Sequence, residues 1–248
     1  MRLEFNFIAD KAIILPASHN EIIQGFIYKH LDYSLADFLH DEGYSYQKRK
    51  FKFFTFSRLI GEIRFIDGFF EIESPFKLMV ASSKDNILQS LAENIVKISE
   101  FKLGSNTVYI ESINVHLTPA ISDNLIIRML SPVTVYSTLK KADGASKTYY
   151  YNPMEKEFGE LIKKNLIKKY FALYNREPTS DDFIIKALNV SKRDEKIIKY
   201  KNFIIKGWMG RYNLIGNPEL LKLAYDTGIG SKNSQGFGCF EICRNENI

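Results

Sequence analysis

The chain has 248 residues, of which 45% are hydrophobic and 25% charged, a globular balance that excludes disordered and fibrous proteins. Lys and Arg number 34 against 29 Asp and Glu, for a net charge of +5 and a pI of about 8.9, which permits a polyanionic partner without requiring one. No apolar run reaches the roughly 18–20 residues of a membrane span, and Cys239 and Cys243 are too few for a disulfide framework and wrongly spaced for a C-x-x-C zinc site. The N-terminus, Met1 to Phe7, alternates polar and apolar residues rather than forming a signal peptide's apolar core. A cytoplasmic setting with no membrane partner is expected.

Residues 2–8 alternate as a strand, and Ile22, Ile23, Phe26 and Ile27 form a helical stripe. Leu35, Phe38 and Leu39 start a second short helix, with Asp32 or Ser34 as cap and Gly43 as stop. The aromatic run 50–57 and the segment Ile63–Ile72, turning at Asp67-Gly68, read as a strand pair. Ile87, Leu91, Ile95 and Ile98 recur at helical spacing, and Val108–Leu117 alternates as a closing strand.

Residues 118–124 form a polar hinge, which places a boundary between domains 1–120 and 121–248. Beyond it Leu125–Tyr136 is β-rich. Asn152-Pro153-Met154-Glu155 carries a helix-start pattern, followed by Phe158, Ile162, Leu166 and Tyr170 along one face. Lys199–Trp208 has strand character, Asn217-Pro218-Glu219 starts a helix that ends at Gly228, and Phe237–Cys243 is a last strand. The order strand, helix, strand pair, helix, strand thus occurs twice. It predicts an α+β protein of two tandem ferredoxin-like (RRM-like) βαββαβ domains. Residues 175–198 fit this scheme poorly and read as an inserted helix or lid, with Asp181-Asp182 as a helix start.

Two basic clusters stand out: Lys48, Arg49, Lys50 and Lys52, and Lys192, Arg193, Lys196, Lys199 and Lys201. Both have Phe and Tyr beside them, as a nucleic-acid surface or a solvated face would. The sharpest local signal is Gly228-Ile229-Gly230-Ser231-Lys232-Asn233-Ser234-Gln235-Gly236-Phe237-Gly238. Four glycines let a backbone approach a ligand closely and turn N–H groups toward phosphate, with Lys232 adding charge. The loop lacks the Gly-Lys-Ser/Thr of a Walker motif and precedes a strand rather than a helix, and Asn233 stands at the third glycine of G-x-G-x-x-G. The plain alternative is a long chain reversal. The run 50–56 resembles an RNP1 strand but lacks its glycine, so base stacking on an open sheet is not expected. No carboxylate cluster suggests a two-metal site.

A G-x-G-x5-G-x-G loop just before the last strand of a tandem ferredoxin-like chain resembles the repeat-associated mysterious proteins of CRISPR systems. More closely, the chain is similar to the CRISPR-associated endoribonucleases that cut precursor RNA within each repeat. Ile23–Tyr28, Phe38-Leu39-His40, Phe53–Ser57, Ser131-Pro132-Val133 and Pro153–Phe158 follow family segments in the same order, and the likeness is weakest over 175–198. The resemblance implies a metal- and cofactor-independent attack of a ribose 2′-OH on the adjacent phosphate, leaving a 2′,3′-cyclic phosphate and a 5′-OH. By motif match the base is His40, the donor to the leaving 5′-oxygen is Tyr28, and the cation facing the phosphorane is Lys52. Taken singly, His40 also fits a surface role, Tyr28 core packing and Lys52 contact with any phosphate. Their order and spacing favour catalysis. His30 is a rival base, whereas His19 and His116 read as structural.

The expected RNA contacts are Lys48, Arg49, Lys50, Gly228, Gly230, Lys232, Asn233, Ser234, Gly236 and Gly238. The expected partner is CRISPR repeat RNA as the precursor transcript, with a CRISPR effector complex and a homodimer both compatible. The rival reading is a non-catalytic RNA-binding subunit of an effector complex on the same fold, which has no need of a His-Tyr-Lys set.

Overall fold

The computed structural model describes residues 1–140 and 144–243. In the first half, β1 (Arg2–Ile8) leads to α1 (Asn20–Lys29) and the short α2 (Tyr33–Asp37). After these come β2 (Phe54–Phe56), β3 (Phe76–Ser82), α3 (Asp85–Ile95), β4 (Phe101–Leu103) and β5 (Asn106–His116). The sheet order is β2-β3-β1-β5-β4 with antiparallel neighbours. Apart from the extra edge strand β4, that is the ferredoxin-like order. Phe5, Phe7, Phe76 and Leu78 on the sheet pack with Ile23, Ile27, Ile87 and Leu91 on the helices, all at most 2% exposed.

The second half repeats the plan. Here β6 (Asn124–Met129), α4 (Lys156–Tyr174), β7 (Phe183–Leu188), β8 (Arg211–Gly216), α5 (Pro218–Thr227) and β9 (Phe240–Ile242) give the antiparallel order β7-β8-β6-β9. A separate core forms around Ile127, Ile162, Leu166, Tyr212 and Leu214. The α5 start behaves as its sequence asks: Asn217 Oδ1 accepts from the Glu219 N–H at 2.8 Å, with Pro218 at the first helical position. Asn152 Oδ1 accepts from the Met154 N–H at 2.8 Å and the Asn152 N–H donates to Glu155 Oε2 at 3.0 Å, but in a turn just ahead of α4.

Four expectations are corrected. The run 50–57 is not one strand: Phe53 turns the chain at φ +55, so Arg49–Phe51 pairs with Tyr44–Tyr46 in a hairpin and only Phe54–Phe56 enters the sheet. Ile63–Ile72 does turn at Asp67-Gly68, but as a hairpin outside the main sheet whose outer strand has every residue exposed to solvent, and β3 takes the expected place. Residues 175–198 hold no inserted α-helix, only a single 3-10 turn at Lys192–Asp194. They contain the edge strand β7, with Asp181-Asp182 leading into it, and Lys199–Trp208 belongs to a separate hairpin, Glu195–Tyr200 with Phe203–Trp208. Ile98 lies beyond the end of α3 and is 40% exposed.

The two halves meet around the glycine-rich segment. Thr55 Oγ1 of β2 donates to the Phe237 carbonyl at 3.0 Å, Asn20 Nδ2 to Gln235 O at 2.9 Å and Gln24 Nε2 to Ser234 O at 2.7 Å. Arg2 is 2% exposed, and its guanidinium donates to the Phe240 and Tyr225 carbonyls while stacking 3.4 Å over the Tyr225 ring. The 195–208 hairpin packs Tyr200 and Ile205 on Phe237 and reaches α1, where Tyr200 Oη donates to Gln24.

Candidate active site

The apolar stripe of α1 leaves Tyr28 at its edge, half-buried and directed toward the end of α2. There the chain tightens into a π-helical turn, Phe38–Glu42, closed by Gly43 at φ +62. His40 sits in that turn, 77% exposed, its ring edge-on to Tyr28 at 6.5 Å between centroids. Asp41 Oδ1 lies 2.5 Å from His40 Nδ1, so an Nδ1–H donated there leaves Nε2 as the free base nitrogen.

The hairpin strand Arg49–Phe51 and the residue after it place Lys50 and Lys52 on one side, with Phe51 between them turned inward. Both ammonium groups cap the helix end: Lys50 Nζ donates to Asp41 O at 2.7 Å and Lys52 Nζ to His40 O at 2.9 Å. Gly43 permits this approach, since a Cβ there would lie 2.7 Å from the Phe51 carbonyl and 3.2 Å from Lys52 Cδ. His40, Tyr28 and Lys52 are therefore brought together. Burial, with Tyr200 nearby, pushes the Tyr28 phenol up to about 12, so it holds its proton at neutral pH. Burial lowers the Lys52 ammonium.

The rival base His30 is packed between Phe26 and Phe101 with Nδ1 on the Phe26 carbonyl at 2.7 Å. His19 is buried against Phe70, and burial holds it down to about 4. His116 lies on β5, 3.9 Å from Glu4. Among the described residues no three His, Cys, Asp or Glu side chains gather as a metal-ligand set.

Lys50 and Lys52 also line a cavity of about 290 Å³ where the two halves meet. Its far wall is the glycine-rich segment, and Arg49, Gly230, Lys232, Asn233 and Ser234 line it as well. Lys48, at the exposed hairpin turn, does not line it, nor do Gly228, Gly236 and Gly238. At these three glycines, and at Gly230 in the wall itself, the surrounding chain leaves no room for a Cβ. A Cβ at Gly236 (φ +83) would lie 2.6 Å from Phe56 Cε2 and 2.8 Å from Asn20 Nδ2, and one at Gly230 would lie 2.5 Å from the Thr134 carbonyl. The Asn233 carboxamide is likewise engaged within the chain, with Nδ2 donating to Ile229 O and Phe237 O, each at 3.0 Å. Among the described residues the N–H groups of Lys232, Asn233 and Ser234 take no hydrogen bond within the chain.

Lys169 of α4 escaped the sequence reading. It is 3% exposed and donates to Gly228 O at 2.8 Å, Asn233 Oδ1 at 2.7 Å and the Thr227 hydroxyl at 3.2 Å, bracing the loop from below. Burial lowers its ammonium to about 7. The signal was available: 169 falls three residues after Leu166 on the apolar stripe of α4, where a lysine must find buried acceptors.

A basic cavity beside a His-Tyr-Lys cluster, at the junction of two ferredoxin-like halves, can be compared with known proteins. The chain is 27% identical to "CRISPR-associated endoribonuclease Cas6 1" of Methanocaldococcus jannaschii, over 96% of this chain and 91% of that protein. It is 29% identical to "CRISPR-associated endoribonuclease Cas6" of Pyrococcus furiosus, over 94% and 85%. The fold matches a solved structure of a Cas6-related protein from Pyrococcus furiosus with a TM-score of 0.87, 23% identity and 99% of both chains covered. Residues 116–242, just over half of the chain, match the family model described as "CRISPR associated protein Cas6, C-terminal". The chain belongs to the Cas6 family of CRISPR-associated proteins.

Proposed function

We propose that the chain is an endoribonuclease that cuts precursor CRISPR RNA within each repeat, through attack of a ribose 2′-OH on the adjacent phosphate. The observation that carries this reading is the double position of Lys52, which holds the His40 carbonyl and lines the basic cavity, so that one side chain links the proton-transfer groups to a surface suited to phosphate. His40 Nε2, free while Nδ1 faces Asp41, takes the 2′-OH proton. Tyr28, whose phenol keeps its proton, donates to the leaving 5′-oxygen. Lys52, joined by Lys50, faces the charge that grows on the phosphorane oxygens. The products are a 2′,3′-cyclic phosphate and a 5′-OH end, and no metal or cofactor enters the scheme.

The RNA backbone follows the cavity, with Arg49, Lys50 and Lys232 on phosphates and the N–H groups of 232–234 available to phosphate oxygens. Gly228, Gly230, Gly236 and Gly238 shape that wall from within, and Lys48 meets RNA only outside the cavity.

Repeat RNA incubated in excess EDTA should be cut, and a single 2′-deoxy substitution immediately 5′ of the cut should abolish cleavage. Cutting of the deoxy substrate would mean that water, not the 2′-OH, attacks.

A further inference from the structure

At the start of α1, the end opposite Tyr28, Ile13–Pro16, Phe69–Ile72 and Ile63–Ile66 form a small antiparallel sheet with Ile63–Ile66 at its open edge. One face of this sheet is an apolar layer that breaks off at that edge. Along one row Ile13 and Ile72 are buried but Ile63 is 38% exposed; along the next Leu15 is buried but Phe65 is 59% exposed. The other face shows Ile14, Ile66 and Phe69 to solvent as well. Native sheet edges are normally blunted by an unpaired charge, a proline or a bulge. Here the charge within Ile63–Ile66 is Arg64, whose Nη2 is held by Glu73 at 2.6 Å and Glu71 at 3.5 Å.

The main chain is open too. Asp67 and Gly68 both have positive φ, +50 and +84, which is the two-residue hairpin turn that makes Ile66 and Phe69 a hydrogen-bonded pair. The ladder alternates from there. Arg64 bonds across to Glu71, while the N–H and C=O of Ile63 and Phe65 point out of the sheet. The same ladder reaches Glu62, whose carbonyl accepts from the Glu73 N–H at 3.0 Å.

We propose that this edge pairs with the same edge of a second copy of the chain, antiparallel about a two-fold axis through Ile63. Charge selects that register. An axis at Arg64 would set the two Arg64 side chains against each other, and one at Phe65 would set Ile63 against the charged turn residue Asp67. An axis at Ile63 instead sets Glu62 of each copy opposite Arg64 of the other, and Phe65 opposite Gly61, where the ring covers a residue with no side chain. The charges suit this arrangement. Among the described residues the Glu62 carboxylate has no ion pair or hydrogen bond, and Arg64 keeps Nε and Nη1 unused beyond its bonds to Glu71 and Glu73. The contact is self-complementary, as a two-fold interface must be. Pairing of about five residues a side lies at the small end of specific interfaces, for a Kd on the order of micromolar.

Sedimentation of the RNA-free protein over a concentration series tests the assembly. Wild type should pass from monomer to dimer in the micromolar range. Glu62→Lys sets an ammonium against Arg64 of the second copy, twice by symmetry, and should weaken the dimer about tenfold or more without changing Tm, since Glu62 makes no ion pair within the chain. Cysteine crosslinking tests the register. On the axis, the two Ile63→Cys residues should lie about 5.5 Å apart between Cα atoms, within disulfide reach, whereas two Phe65→Cys residues would lie about 14 Å apart. Mild oxidation should therefore join Ile63→Cys into a covalent dimer and leave Phe65→Cys no more crosslinked than wild type, which carries Cys239 and Cys243. A wild type that stays monomeric up to ~10⁻⁴ M overturns the proposal. So does a dimer that is indifferent to Glu62→Lys, or one that crosslinks through Phe65→Cys and not through Ile63→Cys.

Discussion

Gly236→Ala separates a glycine that shapes the protein from one that faces RNA. Gly236 has φ +83, where an L side chain costs about 1–2 kcal/mol. The added Cβ would lie 2.6 Å from Phe56 Cε2 and 2.8 Å from Asn20 Nδ2. Phe56 is 1% exposed within the first core, and Asn20 is tied to the Gln235 carbonyl at 2.9 Å, so neither yields freely. Overpacking of this kind costs about 1–3 kcal/mol. Together the two terms come to about 3 kcal/mol, or about 6–12 °C in Tm for a chain of this size. Thermal denaturation followed by circular dichroism measures it, with Gly25→Ala as the control. Gly25 lies inside α1 with nothing within 4 Å of a new Cβ, and its replacement should stabilise by about 0.5–1 kcal/mol. A Gly236→Ala protein that melts like wild type yet fails to bind RNA would show that this glycine faces the ligand, and would refute the packing argument.

Lys232→Ala should leave Tm within about a degree, weaken binding of every repeat sequence and lower the log–log salt slope by somewhat under one unit, as titrations at several salt concentrations would show. The Lys169 ammonium falls to about 7 in the native state from about 10.4 unfolded. Between pH 7 and 10 the unfolded chain therefore holds a proton that the native chain has released, so native stability rises with pH by at most about 1.4 kcal/mol per unit. Urea unfolding of wild type should gain about 1–2 kcal/mol from pH 7 to 8.5 relative to Lys169→Met; parallel curves would contradict the buried-lysine assignment.

The parts of the fold that sequence revealed are those whose signals are local. The α1 stripe, the α5 cap at Asn217-Pro218 and the Asp67-Gly68 turn each depend on neighbours a few residues away. Whether a well-formed hairpin joins the main sheet does not, and so Ile63–Ile72 displaced β3 in the reading. β3 itself, Phe-Lys-Leu-Met-Val-Ala-Ser, is buried through its last three residues and does not keep a clean alternation. β7 was hidden by Asp181-Asp182 after Pro178, a pattern that also starts helices. In the site, the grouping of His40, Tyr28 and Lys52 was legible because family segments end on Tyr28 and His40 and begin just after Lys52. Lys169 was not, because a polar residue on a helix stripe gains its meaning only when another element supplies its partner.

The central claim is that His40 takes the 2′-OH proton at a site whose RNA affinity lies elsewhere. Single-turnover cleavage of repeat RNA by wild type and His40→Ala, with binding measured on a 2′-deoxy substrate that cannot react, tests it directly. The rate should fall by about 10²–10⁴, the usual worth of a general base, while affinity stays within a few-fold because phosphate contacts supply it. Wild-type cleavage by His40→Ala would contradict the account.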